Sequence, residues 1–564
     1  MGAAMTHRYA AGMPPWLAAR VEPSVAALRV ALADGSVRRL IAAWFAANAG
    51  SYALLVITLV IAYEAGGPVA VGFFGLARYL TATVVAPFVG LPAARWPAEA
   101  VLRAADTVRI IAVVAMIGIV ALDGPLAVLA IAVAVEAGAG VFSRPLHMGI
   151  LPAVAQTPQE LIAANVTSGA AEGLGTFAGP ALASILLVST GPVGALVAVV
   201  VIYVLGLASI ARLHVPSVGR RVRSDSALAD LSAGVRAAID LSGPRIIIAM
   251  LGLQTFVRGL LTVLIVVAAI ELLGMGEPGV GTLNAVIGLG GLLGAVAAIT
   301  LAGRERLGPP FTLALAGWGA PIIVMGLILH PAVAIVAMTA VGISNAVLDV
   351  AGFTLIQRLT PNAARVGVLG LLDSVANAGP ALGGLVAPWL ISAFGAQSAL
   401  VVTGAILPLA ALATWPMLRH VDEGRPTTAR LDALLRHQPL FAPLSLATIE
   451  YLGTSLKPVH ADEGTWLMRE GEAGDRYLLV DVGEAEVLQD GRHIGTVGPG
   501  GGVGEIALLR DVPRTASVKA RTPIEAFSLD RESFLEAVTG SKASATAAST
   551  VVDERLAADR ERVG

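Results

Sequence analysis

The feature that most restricts the fold is a series of long apolar runs between residues 36 and 420. Each run is close to the roughly 20 residues that an α-helix needs to cross a hydrocarbon layer about 30 Å thick. Only 14% of all residues are charged, against about a quarter in soluble domains. The sequence therefore predicts an α-helical membrane protein with twelve transmembrane helices. Their approximate positions are 38–62, 68–91, 101–121, 125–148, 163–188, 192–212, 245–271, 279–302, 311–329, 331–355, 366–393 and 397–417.

The distribution of arginine predicts how these spans are oriented. Lys and Arg next to span ends are retained on the cytoplasmic side of the membrane. With both termini inside the cell, the inner segments carry the arginines, whereas the six short outer loops carry none. We therefore expect multi-pass insertion into the inner (plasma) membrane with cytoplasmic N- and C-termini, and a cytoplasmic N-terminal segment at 1–35.

An internal repeat predicts that the membrane region has two halves. The repeated segments align on the Gly-Pro pairs at 179–180 and 379–380. Such duplicated segments are common in transporter folds. We therefore predict two six-helix halves, at 36–212 and 245–420, which are joined by a cytoplasmic loop at 213–244.

Charged residues inside the spans are candidate functional groups because a charge in lipid is energetically expensive. A proton-coupled carrier needs an acid that changes its protonation state during the cycle. Glu136 and Asp349 lie deepest and fit either this role or structural pairing, while Arg78 and Arg258 are further transport candidates. The glycine-rich run 288–294 is expected to let helices approach closely. The charged residues near cytoplasmic span ends favour gate pairs over substrate contacts: Asp106, Arg109, Arg144, Glu172 and Asp373.

The last part of the chain has a different character. Residues 1–420 contain 22 Lys and Arg against 17 Asp and Glu, whereas residues 421–564 contain 16 against 23. Leucines at helical spacing predict linker helices at 421–449. From 450 to 540, short apolar runs alternate with glycines, and Asp490-Gly491 is typical of a tight hairpin. This pattern predicts a C-terminal antiparallel β-roll with flanking helices, the last of them capped by Asp530.

One segment of this roll, residues 498–520, has the residue types that bind a phosphate and a sugar. Its glycines permit close approach of a ligand to the backbone, and the short turn at 504–508 would present amide N–H groups to an anion. Glu505 can accept a hydrogen bond from a sugar hydroxyl, and Arg514 can make a bidentate contact with phosphate oxygens. A dinucleotide fold is disfavoured, because no strand–helix–strand unit surrounds these glycines.

Residues 36–420 resemble the major facilitator superfamily, and within it the drug and siderophore exporters. The stretch RPLHMGILPAVAQTPQELIAANVTSGAAEGLGTFAGP at 144–180 carries this resemblance. In that branch, an aspartate in the loop after the second helix helps to latch the cytoplasmic gate. Ala94 stands at this position, between Gly90 and Arg95, although Asp106 and Arg109 of the following motif are present. The resemblance thus implies a transporter that lacks the usual gating bond.

Residues 450–540 resemble a cyclic nucleotide-binding domain through GEIAL at 504–508 and PRTASV at 513–518. The resemblance implies that Glu505 contacts the ribose 2′-hydroxyl and that Arg514 pairs with the cyclic phosphate. It further implies a cradle made with the amides of Ala507 and Ala516. Thr515 is compatible with cyclic AMP, which we prefer, and can also favour cyclic GMP. The other residues of the implied site are Gly504 and Ile506.

Two features of this domain leave alternatives open. Residues 541–564 could form a lid helix that closes over the base, with Val551, Val552 or Leu556 as its cap, or remain a solvated tail. The roll itself could have lost its ligand and serve only as a docking module. The presence of both Glu505 and Arg514 at the expected spacing favours binding. Val503 replaces an aromatic residue common in the family and is expected to change packing only.

These observations predict a membrane transporter and not an enzyme. The chain contains no cysteine, no Ser/His/Asp arrangement and no metal-binding motif, so no cofactor or metal is expected. The leading hypothesis is proton-coupled export of a small amphipathic compound, regulated by a cytosolic cyclic nucleotide. Two alternatives are an exporter of the cyclic nucleotide itself and a membrane-held receptor that no longer transports. The expected partners are the nucleotide, the lipid bilayer and the transported compound, without nucleic acid.

Overall fold

The computed structural model divides the chain into a helical unit that ends at residue 423 and a second unit that begins at residue 424. It describes residues 35–93, 95–154, 158–211, 242–298, 306–360, 362–421 and 455–539, with isolated positions between these ranges at 213, 301, 431, 434–441, 444, 449, 452 and 453. The predictions for Ala94, for most of the loop 213–244 and for the tail 541–564 lie outside the described residues.

In the described residues, the helical unit consists mainly of long apolar helices. Ten helices in the described ranges are long and apolar enough to cross a membrane. In chain order the helices are α1 Gly35–Val85, α2 Gly90–Ala93, α3 Ala98–Ala121, α4 Leu126–Gly140, α5 Ser143–Val154, α6 Pro158–Ile210, α7 Ser242–Val267, α8 Gly276–Ala298, α9 Gly308–Leu327, α10 Pro331–Leu359, α11 Asn362–Phe394 and α12 Ala396–Leu418.

Two of these helices, α1 and α6, are far longer than one crossing requires. They contain 51 and 53 residues, whereas about 20 residues cross the hydrocarbon layer. Each is interrupted by non-helical backbone, α1 at Gly66 and Gly67 and α6 at Gly191. Both interruptions fall in outer loops of the sequence analysis. The described helices confirm a multi-span helical architecture, while the exact number of twelve stays a prediction.

The two repeated Gly-Pro pairs occupy matching places in the packing. A Cβ at Gly179 of α6 would collide with the carbonyl oxygen of Ala49 in α1. A Cβ at Gly379 of α11 would likewise collide with the Thr255 side chain and the Phe256 amide in α7. In each half, therefore, glycine lets the helix that carries the repeat touch the backbone of the first helix.

The glycine-rich run in α8 has the role expected of it. A Cβ at Gly290 would strike the carbonyl oxygen of Thr339 in α10, and a Cβ at Gly288 would lie 2.8 Å from the Phe177 backbone in α6. Since both neighbours are main-chain atoms of other helices, the prediction of close helix approach is confirmed. Substitution of either glycine would force two helices apart.

The second unit contains the β-roll that the glycine spacing predicts. Its strands are β1 Lys457–Ala461, β2 Trp466–Met468, β3 Arg476–Val482, β4 Ala485–Gln489, β5 Arg492–Val497, β6 Gly502–Val503, β7 Ser517–Ala520 and β8 Ile524–Asp530. They form two four-stranded sheets, in the orders β1-β8-β3-β6 and β2-β7-β4-β5, and every pairing is antiparallel. Asp490 and Gly491, both with positive φ, form the predicted β4–β5 hairpin.

Two helices of the roll complete its core. They are α13, Glu505–Arg510, and α14, Arg531–Thr539. The linker joins them, because Leu435 and Phe441 are fully buried in one cluster with Leu508 and Phe534. Phe441 lies edge-on to the rings of Tyr477 and Phe534, with centroids 5.6 and 6.0 Å away. The described part of the linker thus belongs to the core of the roll.

Asp530 caps α14 as predicted. Its Oδ1 accepts a hydrogen bond of 2.9 Å from the Ser533 amide, and this bond holds the pKa of the Asp530 carboxyl below its ordinary value. A carboxyl with a lowered folded pKa stabilises the fold above its unfolded pKa of about 3.9 and loses this effect as the pH falls through the folded pKa. The Asp530 cap therefore contributes its full stabilisation of the fold at neutral pH.

We expect Asp530→Ala to destabilise α14 by about 1 kcal/mol, because one amide of the first turn loses its acceptor. Hydrogen exchange of residues 531–539 in the full-length protein at neutral pH should accelerate by about fivefold. Asp530→Asn is the matched control, since asparagine caps nearly as well as aspartate. Equal exchange in the Ala variant and the wild type would contradict the capping role.

Candidate functional site

The predicted phosphate-binding segment lies between β6 and β7 of the roll. Glu505 begins α13, and Arg514 follows that helix before β7 starts. Both side chains are buried, with relative exposures of 2% for Glu505 and 4% for Arg514. A carboxylate and a guanidinium are seldom buried without a binding or structural role. Glu505 and Arg514, the two residues singled out in the sequence, are thus both buried within the same segment.

Arg514 is held by a loop that precedes β3. Its Nη2 donates hydrogen bonds to Asp475 Oδ1 at 3.0 Å and to the Arg476 carbonyl at 2.7 Å, and its Nη1 donates to the Gly504 carbonyl at 3.1 Å. Its own amide donates to the Glu472 carbonyl at 2.8 Å. The guanidinium therefore has a fixed position beside the start of α13.

Burial and a nearby carboxylate have opposite effects on the charge of Arg514. Burial lowers the pKa of its guanidinium from the ordinary value, and the hydrogen bond that it donates to Asp475 opposes this shift. The Asp475 side chain is 65% exposed, so its charge is well solvated. An anion that enters the site would meet the guanidinium in a partly desolvated setting, where a charge-assisted hydrogen bond is stronger than in water.

Gly504 is required by both conformation and space. Its φ of +100° lies in a region that residues with a Cβ seldom adopt. A Cβ there would also lie 2.5 Å from Arg514 Nη1 and 2.9 Å from the Arg476 carbonyl oxygen. The glycine of the motif is thus what allows the guanidinium to lie against the backbone at the start of α13.

If this segment binds the cyclic nucleotide that the sequence implies, we expect Gly504→Ala to weaken that binding by about tenfold or more, because displacement of the guanidinium removes a charge-assisted hydrogen bond. Calorimetric titration of the full-length protein measures this loss. Gly491→Ala is the matched control, since Gly491 also has a positive φ but no atom lies within 4 Å of its Cβ position. Affinity lost equally in both variants would show that backbone strain alone is responsible.

The other residues of the motif surround this pair. Ala507 is buried at 2% exposure, while Ile506, Thr515 and Ala516 are partly buried. A Cβ at Gly474 would lie 2.8 Å from the Ala507 Cβ, which places the loop before β3 directly against α13. The sequence analysis missed this loop and its Asp475, because no motif spacing links them to the phosphate-binding segment.

In the helical unit, Glu136 is the centre of a buried charge network. Its Oε1 accepts hydrogen bonds from Arg109 Nε at 3.0 Å and from the Tyr203 hydroxyl at 2.8 Å. Arg78 Nη1 lies 3.4 Å from Oε2, and Arg109 also pairs with Asp106 at 3.6 Å. The network joins α1, α3, α4 and α6. Glu136 and Arg109, which we placed in separate coupling and gate sets, are therefore direct partners.

The remaining gate candidates interact more loosely. Arg144 Nη1 lies 3.9 Å from Glu172 Oε1, and their side chains are 68% and 33% exposed. Asp373 is exposed and lies within electrostatic reach of Arg144. Since Arg144 is in α5, Glu172 in α6 and Asp373 in α11, the group brings acids of both halves near one arginine.

Asp349 and Arg258 are linked through Asn345. Asn345 Oδ1 accepts a hydrogen bond of 2.7 Å from Arg258 Nη2, and its Nδ2 donates to Asp349 Oδ2 at 2.8 Å. The same Oδ1 accepts from Trp318 Nε1 at 3.2 Å and from Gln254 Nε2 at 3.3 Å. Asn345, Trp318 and Gln254 were not singled out in the sequence, since neutral polar residues in a span carry no distinct signal.

Two family models match parts of the chain. The family model described as Cyclic nucleotide-binding domain matches residues 458–540, and the one described as Major Facilitator Superfamily matches residues 305–464. Over 105 residues, 18% of this chain, the sequence is 36% identical to a cAMP-dependent protein kinase regulatory subunit of Yarrowia lipolytica. The chain spans only 28% of the length of that curated relative.

Solved structures give a corresponding result. A mutant form of the nucleoside transporter NupG is 12% identical and matches 68% of this chain and 100% of its own, with a TM-score of 0.58. This likeness shows a shared fold. The regulatory domain of Toxoplasma gondii PKA with cAMP is 32% identical and covers 21% of this chain and 45% of its own, with a TM-score of 0.20. The chain is thus a multi-pass membrane protein with a Major Facilitator Superfamily domain and a C-terminal cyclic nucleotide-binding domain.

Proposed function

We propose that the C-terminal domain binds a cyclic nucleotide through Glu505 and Arg514. The observation that carries this proposal is the burial of both side chains beside the left-handed Gly504. Arg514 would pair with the cyclic phosphate, and Glu505 would accept a hydrogen bond from the ribose 2′-hydroxyl. The amides of Ala507 and Ala516 would complete the phosphate cradle, with Ile506 and Thr515 beside it.

We prefer cyclic AMP to cyclic GMP as the ligand. The similarity to a cAMP-dependent kinase regulatory subunit supports this preference. Thr515 is compatible with either purine, so the choice depends on contacts of the base. Titration of the full-length protein with both nucleotides measures their relative affinities, and we expect cyclic AMP to bind more tightly. Tighter binding of cyclic GMP would reverse the assignment.

The helical unit is proposed to export a small amphipathic compound in exchange for protons. Its charged and polar side chains come from helices of both halves, as alternating access requires of a central site. Asp349 is the better candidate for the coupling acid, because its described partner is the neutral Asn345. Glu136 is held by two arginines and a tyrosine, which favours a structural role.

Nucleotide binding is proposed to regulate this transport from the cytoplasmic side of the inner membrane. A ligand shifts a conformational equilibrium only if it binds one state more tightly than the other. The linker residues Leu435 and Phe441 share a core with Leu508 of α13. A rearrangement of α13 around bound phosphate would therefore reach the segment that joins the two domains.

Inverted vesicles test both parts of this proposal. A pH gradient, acid inside, is followed with acridine orange while an amphipathic probe is added, either the cation ethidium or the anion 1-naphthoate. We expect one probe to dissipate the gradient and cyclic AMP to change the rate. Vesicles with Arg514→Ala should show the same rate with and without nucleotide. A full response in that variant would contradict regulation through this site, and no dissipation by either probe would contradict proton-coupled transport.

A second function, export of the cyclic nucleotide itself, is favoured by the exposed cation Arg258 in the helical unit. Such an exporter must accumulate labelled cyclic AMP in inverted vesicles. It must do so in the Arg514→Ala background as well, if the roll serves only for capture or feedback.

A further inference from the structure

Arg258 is unusual among the arginines of the spans because its described hydrogen-bond partner is neutral. Arg78, Arg109 and Arg144 each lie between 3.0 and 3.9 Å from a carboxylate oxygen. Within the described ranges, no carboxylate forms such an ion pair with Arg258. Its Nη2 donates to the amide oxygen of Asn345 at 2.7 Å. A guanidinium has five N–H donors, so most of its hydrogen-bonding capacity is left for another acceptor.

Arg258 lies on a helix that packs against both halves of the helical unit. This helix, α7, is the most buried of the ten candidate spans, yet the Arg258 side chain is exposed between the buried Val257 and Gly259. Arg258 contacts Asn345 of α10 in its own half. It also lies within electrostatic reach of Tyr52 of α1, a helix of the other half that packs against α7. An exposed cation in this position is where a central transport cavity is expected.

Because no described carboxylate forms an ion pair with Arg258, its guanidinium can accept a further anionic partner or water. Charges inside a membrane protein are paired with one another or mark the path of a ligand. Asn345 holds Arg258 in place, since Gln254 and Trp318 also donate to its Oδ1 and its Nδ2 is bound to Asp349. The Arg258 side chain is thus oriented by a hydrogen bond to an amide that three other side chains also engage, as a binding residue requires.

The surroundings of Arg258 also fit an aromatic compound. Tyr52 lies within electrostatic reach of both Tyr79 and Arg258, and the buried Trp318 donates a hydrogen bond to the same Asn345 oxygen as Arg258 does. Arginine stacks on planar groups and forms bidentate bonds with carboxylate and phosphate. Asp349 lies within electrostatic reach of Arg258, and its negative charge would compete with that of a bound anion.

We propose that the central cavity takes an organic anion, whose carboxylate or phosphate is bound by Arg258 in an orientation set by the positioning residue Asn345. This inference rests on the proposed transport function and specifies its substrate class. Arg78 is a weaker candidate for the same role, because Glu136 and Ser51 already engage its guanidinium. Asp349 lowers the affinity for the anion as long as it is ionised.

Calorimetry of the purified full-length protein tests the charge requirement with 1-naphthoate and its neutral isostere 1-naphthamide. We expect naphthoate to bind at least about tenfold more tightly, as a charge-assisted hydrogen bond predicts. Arg258→Gln should remove this preference, whereas Arg258→Lys should retain part of it. Asp349→Asn should strengthen naphthoate binding several-fold, a gain that a purely structural role for Arg258 does not produce.

The arms of the experiment separate this inference from the transport proposal. Equal binding of naphthoate and naphthamide, or unchanged naphthoate affinity in Arg258→Gln, would overturn the anion site. If ethidium still dissipates the pH gradient in the vesicle assay, transport stands and only the substrate class is wrong. Cyclic AMP that displaces naphthoate in the Arg514→Ala background would support the anion class and favour export of the nucleotide itself.

Discussion

Replacement of Arg514 with alanine should weaken cyclic AMP binding by about two to three orders of magnitude. Loss of one partner from a desolvated charge pair weakens binding by about 2–5 kcal/mol, and part of this is the penalty of a phosphate left without its cation. The guanidinium is only 4% exposed, so water replaces it poorly. Calorimetric titration of the full-length protein with cyclic AMP measures the effect.

Two variants make this prediction specific. Arg514→Lys keeps the charge but loses the planar fork, so we expect an intermediate affinity. Arg510→Ala removes an exposed arginine only four positions earlier, at the end of α13, and should leave affinity within about twofold because exposed charges contribute little. Wild-type affinity in Arg514→Ala would show that the phosphate lies elsewhere or that the roll binds no nucleotide.

The membrane architecture could be read from the sequence because its signals are local. Span length and hydropathy depend only on neighbouring residues. The repeat at Gly179 and Gly379 predicted two related halves, and both glycines lie against the first helix of their own half. Both halves need a glycine at the same helix contact, so this contact also appears in the sequence as a repeated glycine.

The candidate nucleotide site was predictable only in part. Glu505 and Arg514 stand in one continuous motif, and both side chains are buried. Asp475 contacts Arg514 across 39 residues of chain, and no spacing rule links an acid in a loop to a distant arginine. The linker shows the same limit. Its leucine periodicity predicted helix, but the partner of Phe441, the Phe534 ring, lies at the other end of the domain.

The intramembrane charges show why sequence position is a poor guide to pairing. Arg109 and Asp106 lie three residues apart on α3 and were expected to form one gate pair. The structure adds Glu136 of α4, whose carboxylate is closer to Arg109 than that of Asp106. Helix packing decides which charges meet, and packing angles cannot be read from hydropathy. Position within a span assigned Glu136 and Arg109 to different sets, although helix packing brings their side chains into contact.

The structural role assigned to the Glu136 network leads to a second large effect. Glu136 is fully buried, and it balances the positive charges of Arg109 and Arg78. We expect Glu136→Gln to destabilise the helical unit by about 3–5 kcal/mol, because an uncompensated cation is left in the interior. Thermal unfolding of the purified full-length protein in detergent should show a clearly lower Tm.

Charge balance, and not the loss of one side chain, should determine this result. The double variant Glu136→Gln with Arg109→Gln leaves one cation, Arg78, and one anion, Asp106, in the network. It should be more stable than Glu136→Gln alone, a non-additivity of about 1–3 kcal/mol. Glu172→Gln is the matched control, since its pair with Arg144 is 3.9 Å long and largely exposed, and we expect less than about 1 kcal/mol from it. A double variant less stable than either single variant would contradict the charge-balance argument and return Glu136 to the set of coupling candidates.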